Sequence, residues 1–393
     1  MLFQFNFYSC LPLIFFFHIL VYSLLFFARS FKQDNYADKL MGSFLIVAAL
    51  LIIPFMVGFA GWYDNQPYRD ILFFTPLVHS LAIGPLLYLY VKAIFNSDFR
   101  IKGKDWLHLV PAFLYLIINT SFSLLDLFYF ETYTLTNESE DPDFATWYTY
   151  LSIASVLIYL FLAIKHYRQY KRFTAITTSF ADQASLKWLQ TFLYAFGLLS
   201  IMPVINAIMG NFEFFEKLRY FGPWNYYLAF AIVVYYIAIK AYHVSSLSLY
   251  KVKFEPQLLE VYEEADDLPV ALNLEVTPDA KLISIKNELA TLMENELLFE
   301  RSDLTLAEVA KKLNTNAVIL SKAVNQQFAL NFNDYINQYR VDAVIKRMAL
   351  PQFKNQTLLA IAFDAGFNSK ATFNRAFKKF TNKNPKEYLN TTN

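Results

Sequence analysis

Four polar side chains near the C-terminus have the types and spacing to contact nucleic-acid bases. Lys370, Asn374, Arg375 and Lys378 recur at helical spacing, and the opposite side of the same helix is apolar. An arginine makes a two-pronged contact with guanine and an asparagine with adenine, whereas a lysine mainly neutralises phosphate. The pattern therefore predicts contacts with double-stranded DNA, with Arg375 on guanine and Asn374 on adenine.

The helix that carries these residues is the second half of a predicted helix pair. Residues 357–368 contain a short helix, a turn at Gly366 and an expected helix cap at Asn368. The next helix extends from Ser369 to Phe380. Two short helices joined by a tight turn are typical of a helix-turn-helix unit.

The same arrangement occurs earlier in the chain. Thr305 and Glu308 have the spacing of a capping box, in which each side chain accepts a hydrogen bond from the backbone of the other. Asn314 stands where the turn needs a positive φ, which Asn tolerates, and Asn316 is expected to cap a second helix. Residues 333–348 predict one long helix between the two pairs, and an amphipathic helix over 281–299 precedes them.

The two pairs resemble the DNA-binding domain of the AraC-type transcription regulators. The resemblance covers about 281–391, and Asn314, Ala329 and Asn382 stand where that family usually has glycine. The second pair looks like the most specific signature of the family, at Ile361, Ala362, Gly366, Phe367, Phe373, Arg375, Phe377, Lys378, Pro385 and Tyr388. The resemblance implies two recognition helices in successive major grooves on one face of the duplex.

The residues expected to contact DNA lie in the two recognition helices. The second helix of a helix-turn-helix enters the major groove and presents its first turns to the bases. The predicted contact residues are Asn316, Val318, Ser321, Lys322, Ser369, Lys370, Asn374, Arg375 and Lys378.

Charge is distributed unevenly along the chain. The 393 residues have a formal net charge of only +1, yet residues 301–393 contain 14 Lys and Arg against six Asp and Glu, about +8. A basic globular segment is expected of a protein that binds nucleic acid. The average over the whole chain conceals this segment.

The rest of the chain is strongly apolar. Hydrophobic residues make up 56% and charged residues 17%, against about 45–50% and about 25% in soluble domains. The composition excludes a disordered or collagen-like chain, and a single cysteine excludes a disulfide scaffold. Seven apolar runs have the length of membrane spans: about 8–29, 40–63, 71–95, 105–129, 146–167, 185–209 and 223–243.

These features predict an all-α protein with three regions. Residues 1–245 are a seven-helix transmembrane sensor domain, 246–280 an acidic tether, and 281–393 the DNA-binding domain with its two helix-turn-helix units. Lys and Arg near the ends of the runs number 15 on one side and three on the other. The positive-inside rule then predicts a multi-pass protein of the cytoplasmic (inner) membrane, with its N-terminus outside and its C-terminal domain in the cytoplasm.

The predicted transmembrane domain contains few residues that indicate what it senses. His79, Asp126 and Asn206 fall in the predicted outer half of the membrane, where they either form a pocket for a small-molecule or extracytoplasmic ligand or only hydrogen-bond between helices. The sequence predicts no cofactor, no metal site and no enzyme activity. The expected partners are promoter DNA, the lipid bilayer, that unknown ligand and, as a further hypothesis, a second copy in a homodimer.

Three functions are considered, of which a membrane enzyme or kinase is the least favoured, because the sequence has no P-loop glycine run, no kinase-like signature and no acyl-transfer constellation. The arrangement is similar to membrane-bound bacterial members of the AraC-type family, which favours a one-component transcription regulator controlled by a signal at the membrane. The alternative is a membrane transporter or receptor with a cytoplasmic regulatory tail, and the prolines within the apolar runs favour it. Against a transporter, no internal repeat relates one set of apolar runs to another.

Overall fold

The computed structural model describes residues 3–96, 98–136, 146–209, 216–246, 252–259, 280–350 and 356–392. Within these ranges the regular elements are helices, and the predicted acidic tether at 246–280 lies mostly outside them. The chain divides into two compact units. The first contains Met1–Tyr167 and Lys187–Lys253, and the second contains Arg168–Leu186 and Phe254–Asn393. The segment Arg168–Leu186 lies inside the predicted membrane domain by sequence, yet it folds with the C-terminal residues.

The helices up to residue 246 account for the apolar part of the chain. In chain order they are α1 (Phe7–Gln33), α2 (Tyr36–Gly58), α3 (Tyr68–Phe74), α4 (Ser80–Ile94), α5 (Val110–Leu125), α6 (Thr146–Thr177), α7 (Ala181–Ala184), α8 (Lys187–Met209) and α9 (Glu216–Ser246). The last residues of α6, and all of α7, belong to the second unit.

Among the described residues, six helices are long and apolar enough to cross a membrane. They are Phe7–Gln33, Tyr36–Gly58, Val110–Phe130, Thr146–Thr177, Lys187–Ile205 and Gly222–His243. The third predicted run, 71–95, is not one continuous helix. Thr75 is extended, with φ −110° and ψ 109°, because the ring of Pro76 disfavours helical backbone at the preceding residue. The run is therefore divided into α3 and the 15-residue α4.

Large apolar side chains lie on the outside of these helices. Phe17 is 55% exposed on α1, Phe161 is 66% exposed on α6 and Leu198 is 73% exposed on α8. A soluble monomer rarely exposes so much contiguous apolar surface. The six helices therefore have the length expected of membrane association, and all except α2, which is mostly buried, also present large apolar side chains outward.

A buried ion pair connects three helices of the first unit. Arg29, at the end of α1, donates through Nε to Asp38 of α2 at 2.7 Å and through Nη2 at 2.9 Å. Its Nη1 donates to the backbone carbonyl of Tyr242 on α9 at 2.6 Å. The two charged side chains are 7% and 2% exposed. Both partners are thus paired, which is the condition for keeping charge in an apolar interior.

The second unit contains the C-terminal helices. They are α10 (Ala280–Asn295), α11 (Leu306–Lys312), α12 (Ala317–Phe328), α13 (Phe332–Met348), α14 (Leu358–Asp364), α15 (Lys370–Thr381) and α16 (Pro385–Thr392). The predicted long connecting helix is confirmed as α13. The predicted opening helix over 281–299 ends early, at Asn295, because Leu297 adopts a left-handed φ of 49° that a helix does not continue through.

Helix α13 packs against both helix pairs. Residues of α13 form a core cluster with the second pair, α14 and α15, and α13 also contacts α12 of the first. The buried members of the cluster are Val341, Val344, Ile361, Ala362, Ala365, Phe367, Phe373, Ala376 and Phe377. Both pairs are thus supported by one central helix, which fixes the direction in which α12 and α15 present their polar faces.

Candidate nucleic-acid interface

Helix α15 separates its apolar and polar residues sharply. Phe373 and Phe377 are buried against the core, whereas Lys370, Asn374 and Lys378 are exposed. Arg375 lies on the same exposed face, with 61% of its side chain accessible. The structure therefore brings together the predicted contact residues of the second recognition helix on one surface of α15.

The helix cap of α15 differs from the predicted one. Ser369, rather than Asn368, is the N-cap, and its hydroxyl accepts a hydrogen bond from the Thr372 amide at 3.1 Å. A serine hydroxyl is among the best acceptors for this position. Ser369 is also a predicted contact residue, and its capping hydrogen bond fixes where the exposed face of the helix begins.

Helix α12 forms where the first recognition helix is predicted, but it exposes fewer of the predicted contact residues. Asn316 is exposed and caps the helix, accepting from the Ile319 amide at 2.8 Å. Lys322 is exposed and Val318 is half-buried. Ser321 is fully buried, because α12 packs against α10, α11 and α13 and its inward side includes this position. Its hydroxyl is therefore not presented to a duplex, and Ser321 is left out of the contact set proposed below.

The predicted capping box of α11 is confirmed. The Thr305 hydroxyl accepts from the Glu308 amide at 3.3 Å, and the Glu308 carboxylate accepts from the Thr305 amide at 3.0 Å. These two bonds satisfy backbone donors that the first turn of a helix otherwise leaves without partners. They set the start of the helix that precedes the first recognition helix.

Arg375 has an acidic partner in this structure. Its Nη2 donates to Asp182 Oδ2 at 3.0 Å, and its Nη1 donates to Asp182 Oδ1 at 3.4 Å. The Thr372 hydroxyl donates to the same carboxylate at 2.6 Å. Sequence reasoning missed Asp182 because it lies between two apolar runs, almost two hundred positions before its partners along the chain.

Arg340 is a second functional residue whose role the sequence did not reveal. It is fully buried on α13 and donates to three backbone carbonyls: Phe299 at 2.8 Å, Arg301 at 2.7 Å and Ser179 at 3.1 Å. Burial lowers the pKa of its guanidinium to about 9, so the group remains charged at neutral pH. Its planar set of donors suits several fixed acceptors at once.

Of the three residues predicted to sense a ligand, the structure describes the surroundings of His79 and Asp126. His79 is half-buried just before α4, and the side chain of Asn206 lies outside what the structure describes. Asp126 is buried, and its carboxylate accepts from the backbone amides of Thr134, Leu135 and Thr136 at 2.7–3.2 Å. That carboxylate therefore holds the backbone of residues 134–136. Residues 137–145, which follow, lie outside the described residues.

Comparison with known proteins supports the geometry of the second unit. Residues 297–391 match the family described as a helix-turn-helix domain. The match supports a helix-turn-helix domain in this part of the chain. The match begins just before α11 and contains both helix pairs together with α13.

The chain is also similar to curated proteins over a small part of their length. The chain is 30% identical over 86 residues to uncharacterized HTH-type transcriptional regulators of Staphylococcus aureus strains COL, MSSA476 and MRSA252. The similarity covers 22% of this chain and 11% of each relative. No solved structure matches the chain. The family match concerns residues 297–391.

Proposed function

We propose that this protein is a membrane-embedded, one-component transcription regulator. Its C-terminal domain binds promoter DNA in a sequence-specific manner, and a signal received by the membrane-spanning helices controls that binding. The observation that carries the proposal is the exposed face of α15, where Arg375, Asn374, Lys370 and Lys378 lie together inside a helix-turn-helix domain.

Both helix pairs take part in the proposed DNA contact, each as one helix-turn-helix unit. Arg375 and Asn374 read base edges, because their side chains make two-pronged contacts that a single lysine does not make. Lys378 and Lys322 neutralise phosphates, which positions the protein without specifying sequence. The remaining proposed contacts come from the first turns of the two recognition helices, at Asn316, Val318, Ser369 and Lys370.

The apolar helices are proposed to cross the inner membrane seven times. The six long helices supply six crossings, and α3 with α4 supplies a broken seventh. At 1.5 Å per residue, the 15 residues of α4 are shorter than the hydrocarbon core of about 30 Å, so α3 is needed to complete the crossing. The excess of Lys and Arg on one side supports an outside N-terminus and a cytoplasmic DNA-binding domain.

The signal is proposed to be a small-molecule or extracytoplasmic ligand received at the outer side, near His79, Asp126 and Asn206. The proposal includes no catalytic step and no cofactor. A homodimer suits binding to repeated DNA sites, since symmetric oligomers match such sites.

The test of DNA recognition uses the full chain in lipid nanodiscs. A duplex is selected from a randomised library, and affinities for it and for a random duplex are compared in wild type and Arg375→Ala. We expect Arg375→Ala to remove the preference for the selected duplex, with a loss of about 1–3 kcal/mol of discrimination. The salt-dependent binding of the random duplex should remain.

Lys346→Ala provides the matched control, because Lys346 is exposed on α13, which is not one of the recognition helices. It should leave the discrimination unchanged. An equal loss on selected and random duplexes in Arg375→Ala would contradict the assignment of this residue. Reporter domains fused after residue 393, active on only one side of the membrane, test the proposed topology separately.

A further inference from the structure

The segment Arg168–Leu186 folds as part of the DNA-binding unit. It contains the end of α6, the short helix α7 and, between them, three residues in non-helical conformation. Thr178 forms an antiparallel bridge with Thr305, and the Ser179 amide donates to the Leu304 carbonyl at 3.0 Å. The segment thus pairs with the backbone just before α11, and we call it the docked segment.

Buried contacts hold the docked segment in place. Thr178, Ser179 and Phe180 are each at most 2% exposed. Arg340 donates to the Ser179 carbonyl at 3.1 Å while its other donors bind the carbonyls of Phe299 and Arg301. The guanidinium therefore joins the docked segment to the domain core through three acceptors that are fixed in the backbone.

The docked segment places one carboxylate on the recognition helix. Asp182 lies in the first turn of α7, where it binds Arg375 through both of its oxygens and accepts from the Thr372 hydroxyl at 2.6 Å. Thr372 and Arg375 lie in the first two turns of α15. Those turns are the part of a recognition helix that enters the major groove.

A carboxylate and a guanine edge use the same donors of an arginine. Each presents two acceptors to the guanidinium fork, so Arg375 binds one or the other in this two-pronged manner. The negative charge of Asp182, held against α15, also repels the phosphates of an approaching duplex. Asp182 therefore competes directly with DNA for the residue that is proposed to give sequence preference.

The strength of the contact suits a reversible competitor. The ion pair is exposed, with 61% of the Arg375 side chain and 26% of the Asp182 side chain accessible. Exposed ion pairs contribute little on their own, but the buried anchor keeps the carboxylate close for as long as the segment is docked. DNA of the right sequence displaces Asp182 at a reduced apparent affinity, rather than being excluded.

We propose that the docked segment is an autoinhibitory element, in which Asp182 occupies Arg375 until the membrane-spanning helices receive their signal. The inference rests on the proposed function. The docked segment is continuous with α6 at one end and with α8 at the other, and both are among the six long apolar helices. A change in either helix reaches Asp182 along the covalent chain, without passing through the acidic tether.

The first test compares the affinity of full-length variants in nanodiscs. A duplex is selected from a randomised library with both wild type and Asp182→Asn, and then titrated with wild type, Asp182→Asn and Asp364→Asn. Asp364 is exposed on α14, so its variant removes an equal charge from the same unit. We expect Asp182→Asn to bind the selected duplex about tenfold more tightly, equivalent to about 1.4 kcal/mol, and Asp364→Asn to change affinity much less.

The same experiment separates the failure of the inference from the failure of the proposed function. If neither selection enriches a sequence, the chain is not a sequence-specific regulator, and both the proposed function and the autoinhibitory role are wrong. If wild type prefers a selected duplex and Asp182→Asn binds it no better, only the autoinhibitory role is wrong. An equal gain in Asp364→Asn, or a gain that persists when Arg375→Ala is added, also overturns it.

A second test holds the docked segment without touching the recognition helix. Asn333 on α13 donates to the Ala175 carbonyl at 3.0 Å. The variant Ala175→Cys with Asn333→Cys, in a Cys10→Ser background, is joined by a short cleavable thiol crosslinker. We expect the crosslink to weaken binding of the selected duplex about tenfold and cleavage to restore it. Unchanged binding in the crosslinked protein would overturn the proposal.

Discussion

Asn314 and Gly366 occupy equivalent turns of the two helix pairs, and both have a positive φ, 49° at Asn314 and 96° at Gly366. Their surroundings differ: a Cβ atom at Gly366 would lie 2.5 Å from the Phe299 carbonyl oxygen and 2.7 Å from that of Glu300. The turns share one closing hydrogen bond, from the Thr315 amide to the Ala310 carbonyl at 2.9 Å and from the Phe367 amide to the Ala362 carbonyl at 3.0 Å.

Gly366→Ala should therefore strongly destabilise the DNA-binding unit. Overpacking against fixed backbone costs about 1–3 kcal/mol, and a left-handed residue with a Cβ costs about 1–2 kcal/mol more. We expect a loss of about 3 kcal/mol, measured on the full chain in detergent by pulse proteolysis in urea with a C-terminal tag. Asn314→Gly is the control and should change stability by less than about 1 kcal/mol. Similar losses in both variants would contradict this account.

Ala329, which stands where the AraC-type family usually has glycine, leads to the opposite expectation: a glycine there should stabilise the unit. Ala329 ends α12 with a φ of 53° and is exposed. Ala329→Gly removes a left-handed strain of about 1–2 kcal/mol and adds a backbone entropy cost of about 0.5–1 kcal/mol. We expect a net gain of roughly 0.5–1 kcal/mol from these two terms, in the same assay. Ala349→Gly, at the end of α13 with a φ of −79°, should be neutral or destabilising.

Local features of the second unit could be predicted from the sequence because they depend on neighbours in the chain. The capping box of Thr305 and Glu308, the positive φ of Asn314 and the polar face of α15 each involve residues a few positions apart. Helical periodicity and capping chemistry are sufficient for such features. The same reasoning placed the cap of α15 one residue too early, at Asn368 instead of Ser369, because both residue types are good caps.

Features that depend on distant parts of the chain could not be predicted. Nothing in the sequence pairs Asp182 with Arg375, or Ser179 with Arg340, since the partners are far apart and the pairing follows from the fold. Arg29 is one of the 15 Lys and Arg near the ends of the apolar runs on the predicted inner side, yet it is buried against Asp38. A charged residue at the end of an apolar run has the same pattern whether it meets water or a buried partner.

Arg340 should be intolerant of even a conservative replacement. Arg340→Lys keeps the charge but has no planar fork, so it leaves at least one of the carbonyls of Phe299, Arg301 and Ser179 without its donor. An unsatisfied buried acceptor costs about 1–3 kcal/mol. We expect a loss of this size, together with faster hydrogen exchange at residues 178–180, by mass spectrometry of the full chain. Normal exchange at 178–180 would contradict the anchoring role.

Lys378→Ala should weaken DNA binding without changing its sequence preference. Lys378 is exposed on α15 beyond the turns that are proposed to read bases. Losing one phosphate contact lowers the slope of log affinity against log salt by about 1, equally for selected and random duplexes. Titrations at several salt concentrations measure both slopes. Lys346→Ala is again the control, and a loss confined to the selected duplex would instead make Lys378 a base-reading residue.

Loss of the buried Arg29–Asp38 ion pair should destabilise the protein far more than loss of an exposed ion pair close to it in sequence. Asp38→Asn leaves Arg29 buried without its counter-charge, which costs about 3–5 kcal/mol. Asp34 forms exposed ion pairs with Lys39 and Arg100 and is 75% accessible, so Asp34→Asn should cost at most about 1 kcal/mol. The temperature at which half of the detergent-purified chain remains monodisperse compares the two. Equal losses would mean that Arg29 does not depend on Asp38, whereas recovery in Arg29→Met with Asp38→Leu would identify the unpaired charge as the cause.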